Sequence, residues 1–249
     1  MKVEIKEDER IDDLEYKNLK IIQNKNNFCF GIDSVLLSDF AKEIKKNSTV
    51  LDLGTGNGIV AILLAGKTEA KKIVGIEIQE DVAEMAQRSV KMNNLEDRIE
   101  IINENIKKLK NIFGKGTIDS IVTNPPYKKD NTGSKNINKN KLISRHEVEC
   151  NLEDVIKVTA EMLKEKGSMY MVHRPDRLVD IIDLLRKYKL EPKEIKLVYP
   201  TKIKEPNLLL IKAVKKARPF LKMDKPLFVY DEKGNYTKEI LKIYNKEEK

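Results

Sequence analysis

From Thr49 onward, short apolar runs alternate with longer stretches whose apolar residues recur every three to four positions. The runs Thr49–Leu53, Lys72–Ile78, Arg98–Asn103, Ile118–Thr123 and Gly167–His173 are apolar without strict alternation, which predicts strands covered on both faces. Between and after them the period is helical: Leu152, Val155, Ile156, Thr159 and Leu163 form one stripe, and Leu178, Ile181, Ile182 and Leu185 another. Gly167 reads as the stop between the first stripe and the strand that follows. Upstream, Asp33 or Ser34 is placed to cap a helix running to about Lys45, with Val35, Leu36, Leu37 and Phe40 inward. After Pro192, the runs Glu194–Tyr199 and Asn207–Val214 have no helical stretch between them, so they predict an antiparallel hairpin at the sheet edge. The pattern as a whole predicts an α/β fold: a Rossmann-like, seven-stranded sheet, mostly parallel, with helices on both faces. Residues 1–32 read as an extended or hairpin-like N-terminal extension, 33–217 as the main domain, and 218–249 as an appendage packed on it. That appendage carries a strand candidate at Pro226–Tyr230, a turn from Asp231 to Gly234 and a short terminal helix.

Composition narrows the class. At 249 residues, 40% hydrophobic and 35% charged, the chain is globular with a large core and a highly charged surface. Its 48 Lys+Arg against 40 Asp+Glu leave +8, which favours a polyanionic partner. A compositional bias towards Lys, Ile and Asn produces the same excess, so charge alone leaves the partner open. The two cysteines, Cys29 and Cys150, and the two histidines, His146 and His173, are too scattered for structural zinc or a disulfide framework. The first ten residues lack an apolar core for a signal peptide, and the longest apolar run, Ile59–Ala65, is far below membrane-spanning length. A cytoplasmic protein that needs no metal is expected.

Leu51-Asp52-Leu53-Gly54-Thr55-Gly56-Asn57-Gly58 supplies a strand running into a glycine-rich turn, where the backbone can pass close under a ligand and enter a helix. The spacing differs from the Gly-x-Gly-x-x-Gly of dinucleotide sites, so the glycines alone are weak. Glu77, at the end of the next strand, strengthens them, because a carboxylate there can accept both ribose hydroxyls of an adenosine. Ile78 follows it. Beyond the third strand, Asn105 is placed to meet an adenine edge and Ile106 to cover its face, although an Asn in that position also serves as a cap.

Thr123-Asn124-Pro125-Pro126-Tyr127, directly after a strand, carries the chemistry. Two prolines stiffen the turn and donate no N–H, so the Asn124 amide oxygen and the Pro125 carbonyl stand as paired acceptors, with the Tyr127 ring beside them. Paired acceptors suit a planar NH₂ group: they hold density on the nitrogen and stabilise the positive charge that develops there during alkylation. Tyr127 would stack on a base turned out of its context. S-adenosyl-L-methionine (SAM) fits this corner better than NAD, and the combination predicts methyl transfer to an exocyclic or amide nitrogen. Lys128 to Lys141 follows at once as a basic segment for phosphate contact, equally readable as a solvated loop. Lys212, Lys215, Lys216, Arg218 and Lys222 form a second basic stretch towards the C-terminus, a further candidate RNA track. Arg145-His146-Glu147 can position loop or substrate or form a surface ion pair, and His173 is given no catalytic role.

With these motifs the chain resembles the N6-adenine branch of the class I SAM-dependent methyltransferases, and more closely the bacterial tRNA(Val) (adenine-37-N(6))-methyltransferase family. The resemblance covers nearly the whole chain: Phe28 to Leu37, Leu51–Gly58, Thr123–Tyr127, Arg145-His146-Glu147 and Val172 to Leu178. It implies SAM contacts from Asp52, Gly54, Thr55, Gly56, Gly58 and Glu77, target-base contacts from Asn124, Pro125 and Tyr127, and Asp33 over the methionine end. It also implies tRNA as partner. Asn105 departs from the Asp common at its position in class I enzymes. Rival readings are a glutamine-amide methyltransferase of release factors, a guanine or adenine methyltransferase of ribosomal RNA, and a SAM-binding protein that holds RNA without catalysis. The first carries a helical N-terminal domain for which about 32 residues leave no room.

Overall fold

The computed structural model describes residues 3–25, 31–125 and 151–246. Strands β1 (Glu9–Asp13) and β2 (Lys20–Asn24) form a separate antiparallel hairpin, and helix α1 (Ile32–Phe40) follows. The alternation then runs β3 (Thr49–Leu53), α2 (Ile59–Lys67), β4 (Lys72–Glu77), α3 (Glu80–Met92), β5 (Ile99–Asn103), α4 (Leu109–Phe113) and β6 (Ile118–Thr123). After it come α5 (Leu152–Met162), β7 (Leu163–His173), α6 (Leu178–Lys187), β8 (Leu190–Tyr199), β9 (Leu208–Lys215), β10 (Lys222–Met223), β11 (Leu227–Phe228) and α7 (Lys238–Ile243).

Among the described residues the large sheet has nine strands in the order β10-β8-β9-β7-β6-β3-β4-β5, with β11 also on β8. The seven expected strands are all present, and β10 and β11 extend the edge by pairing parallel to β8. Among the described strands of this sheet only β9 runs against its neighbours, pairing antiparallel with both β7 and β8. Because side chains alternate across a strand, successive residues feed two layers. Val50, Ile73, Ile99, Val122 and Tyr170 face α1, α2, α3 and the hairpin; Leu51, Val74, Ile121 and Met169 face α4, α5 and α6.

Three local expectations are corrected. Helix α1 begins at Ile32 with Gly31 at its N-cap, so Asp33 lies in the first turn instead of capping it, and the helix stops at Phe40 rather than Lys45. Gly167 is no helix stop. Strand β7 starts at Leu163, and Gly167 sits inside it beside a register shift against β6, where a Cβ would come within 2.9 Å of the Lys164 carbonyl oxygen. Pro192 lies within β8 at a second register shift, as a residue without an N–H requires.

The N-terminal hairpin and the C-terminal helix are both pinned to the core. Arg88 on α3 grips Glu9 of β1 with both terminal nitrogens at 2.6 Å and Glu84 through Nε at 2.6 Å. Lys67, its side chain 3% exposed, donates to the Ile243 carbonyl at the end of α7 and lies 4.9 Å from the Tyr16 ring centre. Burial pushes its pKa down to about 8, with Asp39 partly opposing that shift.

The connections after β3 lead to β4 and β5 on one side, whereas β6 and β7 lie on the other. Ligands of such sheets bind where the order reverses, outside the carboxyl ends of the strands. Here that point is the junction of β3 and β6.

Candidate active site at the β3–β6 junction

Leaving β3, the chain turns through Gly54 (φ 72), Gly56 (φ 57) and Gly58 (φ 89), all in the region only glycine enters without strain. The Gly54 and Thr55 N–H groups donate to the Ile76 carbonyl at 3.0 and 2.9 Å, tying the turn to β4. A Cβ on Gly54 or Gly56 would meet nothing within 4 Å, whereas one on Gly58 would touch Ala86 Cβ of α3 at 3.4 Å. The first two glycines therefore face open space and the third faces helix packing.

Asp52 lies beneath this turn, 1% exposed, accepting from Thr55 Oγ1 at 2.6 Å and from the Ala61 N–H. Burial raises its pKa to about 7, against the lowering pull of those two donors, and the charge of Glu77 adds to the rise. Asp52 thus shapes the turn and the first turn of α2 from below. Glu77, 6% exposed, accepts the Gly56 N–H on Oε2 and the Gln79 N–H on Oε1, both at 3.0 Å. Each carboxylate oxygen carries two acceptor sites, so these bonds orient Glu77 and still allow it to take two hydroxyls. Sequence spacing offered Glu77 as a ligand candidate but did not reveal its clasp of Gly56.

Ile78, half-buried, follows the end of β4. Asn105 caps the 3-10 turn Ile106–Lys108: its Oδ1 accepts the Lys107 N–H at 2.9 Å. Ile106 packs partly into the layer beneath α5.

Across the junction, Thr123 pairs in register with Leu53 and donates its hydroxyl to the Leu53 carbonyl at 3.0 Å. Asn124 therefore emerges level with Gly54, one strand spacing of about 4.8 Å away. Its Nδ2 donates to Asp33 Oδ2 and Ser34 Oγ of α1, both at 3.3 Å. Because the amide is planar, anchoring its nitrogen on α1 turns the acceptor oxygen the opposite way. Asn124 is half-buried and Pro125 buried. Pro126, Tyr127, the segment Lys128 to Lys141 and Arg145 to Glu147 lie outside the described residues. Ser34, read from sequence only as a cap candidate, proves to be an anchor of the proposed catalytic amide; no pattern within α1 marks that contact.

His173, at the end of β7, is 1% exposed and accepts the Arg174 N–H on Nδ1 at 2.8 Å. Burial, reinforced by the charge of Arg177, pushes its pKa down to about 4. Among the described residues no group of three or more His, Cys, Asp or Glu could hold a metal ion, and no helix is long and apolar enough to cross a membrane.

Known proteins decide the family. Residues 19–187 match the methyltransferase small domain. The chain belongs to that family. As a methyltransferase small domain protein it is similar to the tRNA1(Val) (adenine(37)-N6)-methyltransferase of Porphyromonas gingivalis, with 31% identity over 204 residues covering 80% of this chain and 79% of that one. The enzyme of the same name from Haemophilus influenzae is 27% identical over 92% of this chain and 94% of its own. In fold the methyltransferase domain resembles the crystal structure of a predicted O-methyltransferase from Agrobacterium tumefaciens. The TM-score is 0.69 at 20% identity, over 86% of this chain and 95% of that one.

S-adenosyl-L-methionine is the methyl donor of this family member, and when bound it supplies an electrophilic methyl on a sulfonium. The residues fit it: open space over Gly54 and Gly56, a buried carboxylate at the end of β4, and no side chain that a ligand would have to displace from either glycine.

Proposed function

We propose that this methyltransferase modifies the 6-amino group of an adenine in RNA, and that its target is adenine 37 of tRNA(Val), as in the names of its relatives. The observation that carries the reading is the pairing of Thr123 with Leu53, which sets Asn124 beside the glycine turn. Glu77 would hold the ribose of the donor, while Gly54, Thr55, Gly56 and Gly58 shape the turn beneath it. Asn105, its Oδ1 occupied by Lys107 N–H, would meet the adenine chiefly through its Nδ2 donors. Ile78 and Ile106 would flank the ring. Asp33 would sit near the methionine end, where it also orients Asn124.

An adenine amine is a poor nucleophile, because its lone pair is delocalised into the ring. Asn124 Oδ1 and the Pro125 carbonyl would accept its two hydrogens, localise that pair, and stabilise the charge forming on nitrogen. Pro126 would add rigidity through its fixed φ, and Tyr127 would stack on the extruded base. The product loses its proton to water, so no strong base is needed, consistent with a buried His173 kept neutral at pH 7. The protein is taken to act on tRNA in the cytoplasm.

The test is incubation with labelled donor and total RNA from a strain lacking the gene, followed by nucleoside mass spectrometry. Label in N6-methyladenosine of tRNA is expected. Label in methylated guanine, or in protein alone, would overturn the substrate.

A further inference from the structure

The β8–β9 hairpin places an exposed isoleucine between two lysines at the same edge of the sheet as Asn124. Its stem is a long antiparallel ladder from Leu190↔Lys215 to Val198↔Leu208. The tip is closed by Asn207 N–H to the Val198 carbonyl at 3.0 Å and Lys204 N–H to the Thr201 carbonyl at 3.3 Å. On β9, Leu209 pairs with His173, the last residue of β7, so residues 200–207 project beyond the carboxyl edge. In the sheet order β8 stands three strand spacings from β6, about 14 Å.

Ile203, at the tip, is 94% exposed. Tight turns favour Gly, Asn, Asp, Pro and Ser, each for a backbone reason. An isoleucine there has no such reason, and at that exposure it adds nothing to the core. Lys202 and Lys204 flank it, both exposed. Lys202 Nζ is 3.9 Å from Glu232 Oε1, with the two side chains 69% and 87% exposed; so open a pair is easily exchanged for a phosphate. The basic stretch nearer the C-terminus is more committed. Lys212 lies 5.3 Å from the Tyr170 ring centre, Lys215 donates to the Leu163 carbonyl at 2.6 Å, and Lys222 bridges Asp224 at 2.6 Å.

We infer that the Lys202-Ile203-Lys204 tip is an RNA-positioning finger: Ile203 wedges against unstacked bases of a single-stranded loop while the two lysines bind the phosphates on either side. This deepens the RNA reading given above and rests on it for the class of partner. An apolar wedge flanked by cations is how proteins hold a distorted nucleic acid in register. A rigid hairpin about 14 Å from the catalytic corner would grip nucleotides a few positions from the target base.

The full-length protein is titrated with a fluorescent anticodon stem-loop RNA over a range of salt concentrations, and donor affinity is measured by calorimetry. Ile203→Ser is expected to weaken RNA binding roughly tenfold and to leave donor affinity unchanged. The double variant K202A/K204A should lower the slope of log K against log salt by about 1.4 to 1.8. Lys46→Ala, in the loop before β3 at the opposite edge, serves as the comparison for a diffuse effect of net charge. Wild-type RNA affinity in Ile203→Ser, as a protein-docking tip would give, or an equal loss in Lys46→Ala, would overturn the finger. A wild type that binds RNA through the tip yet methylates no adenine would sink the earlier reading alone; a wild type that binds no RNA would sink both.

Discussion

Replacing Gly56 by alanine separates the two demands on the glycine turn. Gly56 has φ 57, and a Cβ built on it meets no atom within 4 Å. The folded protein therefore suffers backbone strain but no clash, and left-handed backbone costs an alanine about 1–2 kcal/mol. For a chain of this size each kcal/mol lowers Tm by about 2–4 °C, so a drop of about 2–8 °C is expected. The methyl group projects into the open space that would receive the donor. Calorimetry should show donor affinity reduced at least tenfold, about 1.4 kcal/mol or more, at a temperature where the variant is fully folded. Gly75→Ala is the contrasting variant. Its Cβ would lie 2.7 Å from Ile101 Cδ1 and 2.8 Å from Thr55 Oγ1, so it should lose about 1–3 kcal/mol of stability through overpacking. Undiminished donor affinity in Gly56→Ala, with the expected fall in Tm, would refute the placement of the donor over this turn.

Asn124→Ala should bind the donor nearly as wild type while turnover falls at least a hundredfold, the loss typical of removing one charge-stabilising group; single-turnover assays with tRNA decide it. For Asp52 the folded-state pKa is raised to about 7 from 3.8, so the folded state holds the extra proton between those values. Stability contributed by this group therefore falls as pH rises from about 4 to 7, and Asp52→Asn should flatten that part of the difference curve in urea titrations by up to about 1.4 kcal/mol per pH unit. Arg88→Met leaves Glu9, 4% exposed at its side chain, without its main partner and should cost about 3–5 kcal/mol in chemical denaturation. Adding Glu9→Leu should recover more than half of that, and no recovery would contradict the account of a stranded buried charge.

Much of the candidate site could be proposed from sequence because it lies in local stretches. Asp52 to Gly58 and Glu77 each end a strand whose apolar run is plain in the sequence, and ligand positions in an open α/β sheet follow strand ends. Asn105 illustrates the limit. An amide after a strand can meet a ligand or cap a turn, and the Lys107 N–H three ångströms from its Oδ1 is a local contact that spacing alone left open. Helix α1 was expected in the right region, but its start was missed because Gly31 carries no side chain to advertise a cap, and its end was placed at Lys45 instead of Phe40. The break expected at Gly167 was misplaced since a register shift inside a strand and a helix stop both call for glycine.

The sequence by itself determined the alternation of strands and helices and the glycine turn, because periodicity and backbone freedom act within a few residues. It could not determine that Asn124 stands beside Gly54, that Asp33 and Ser34 hold its amide nitrogen, or that Glu77 clasps Gly56. Those relations join residues 21 to 91 positions apart. They exist only once β6 pairs with β3 and α1 packs on the same face of the sheet against β7 and β9, since register across a sheet is set by the packing of two whole layers and by no single segment.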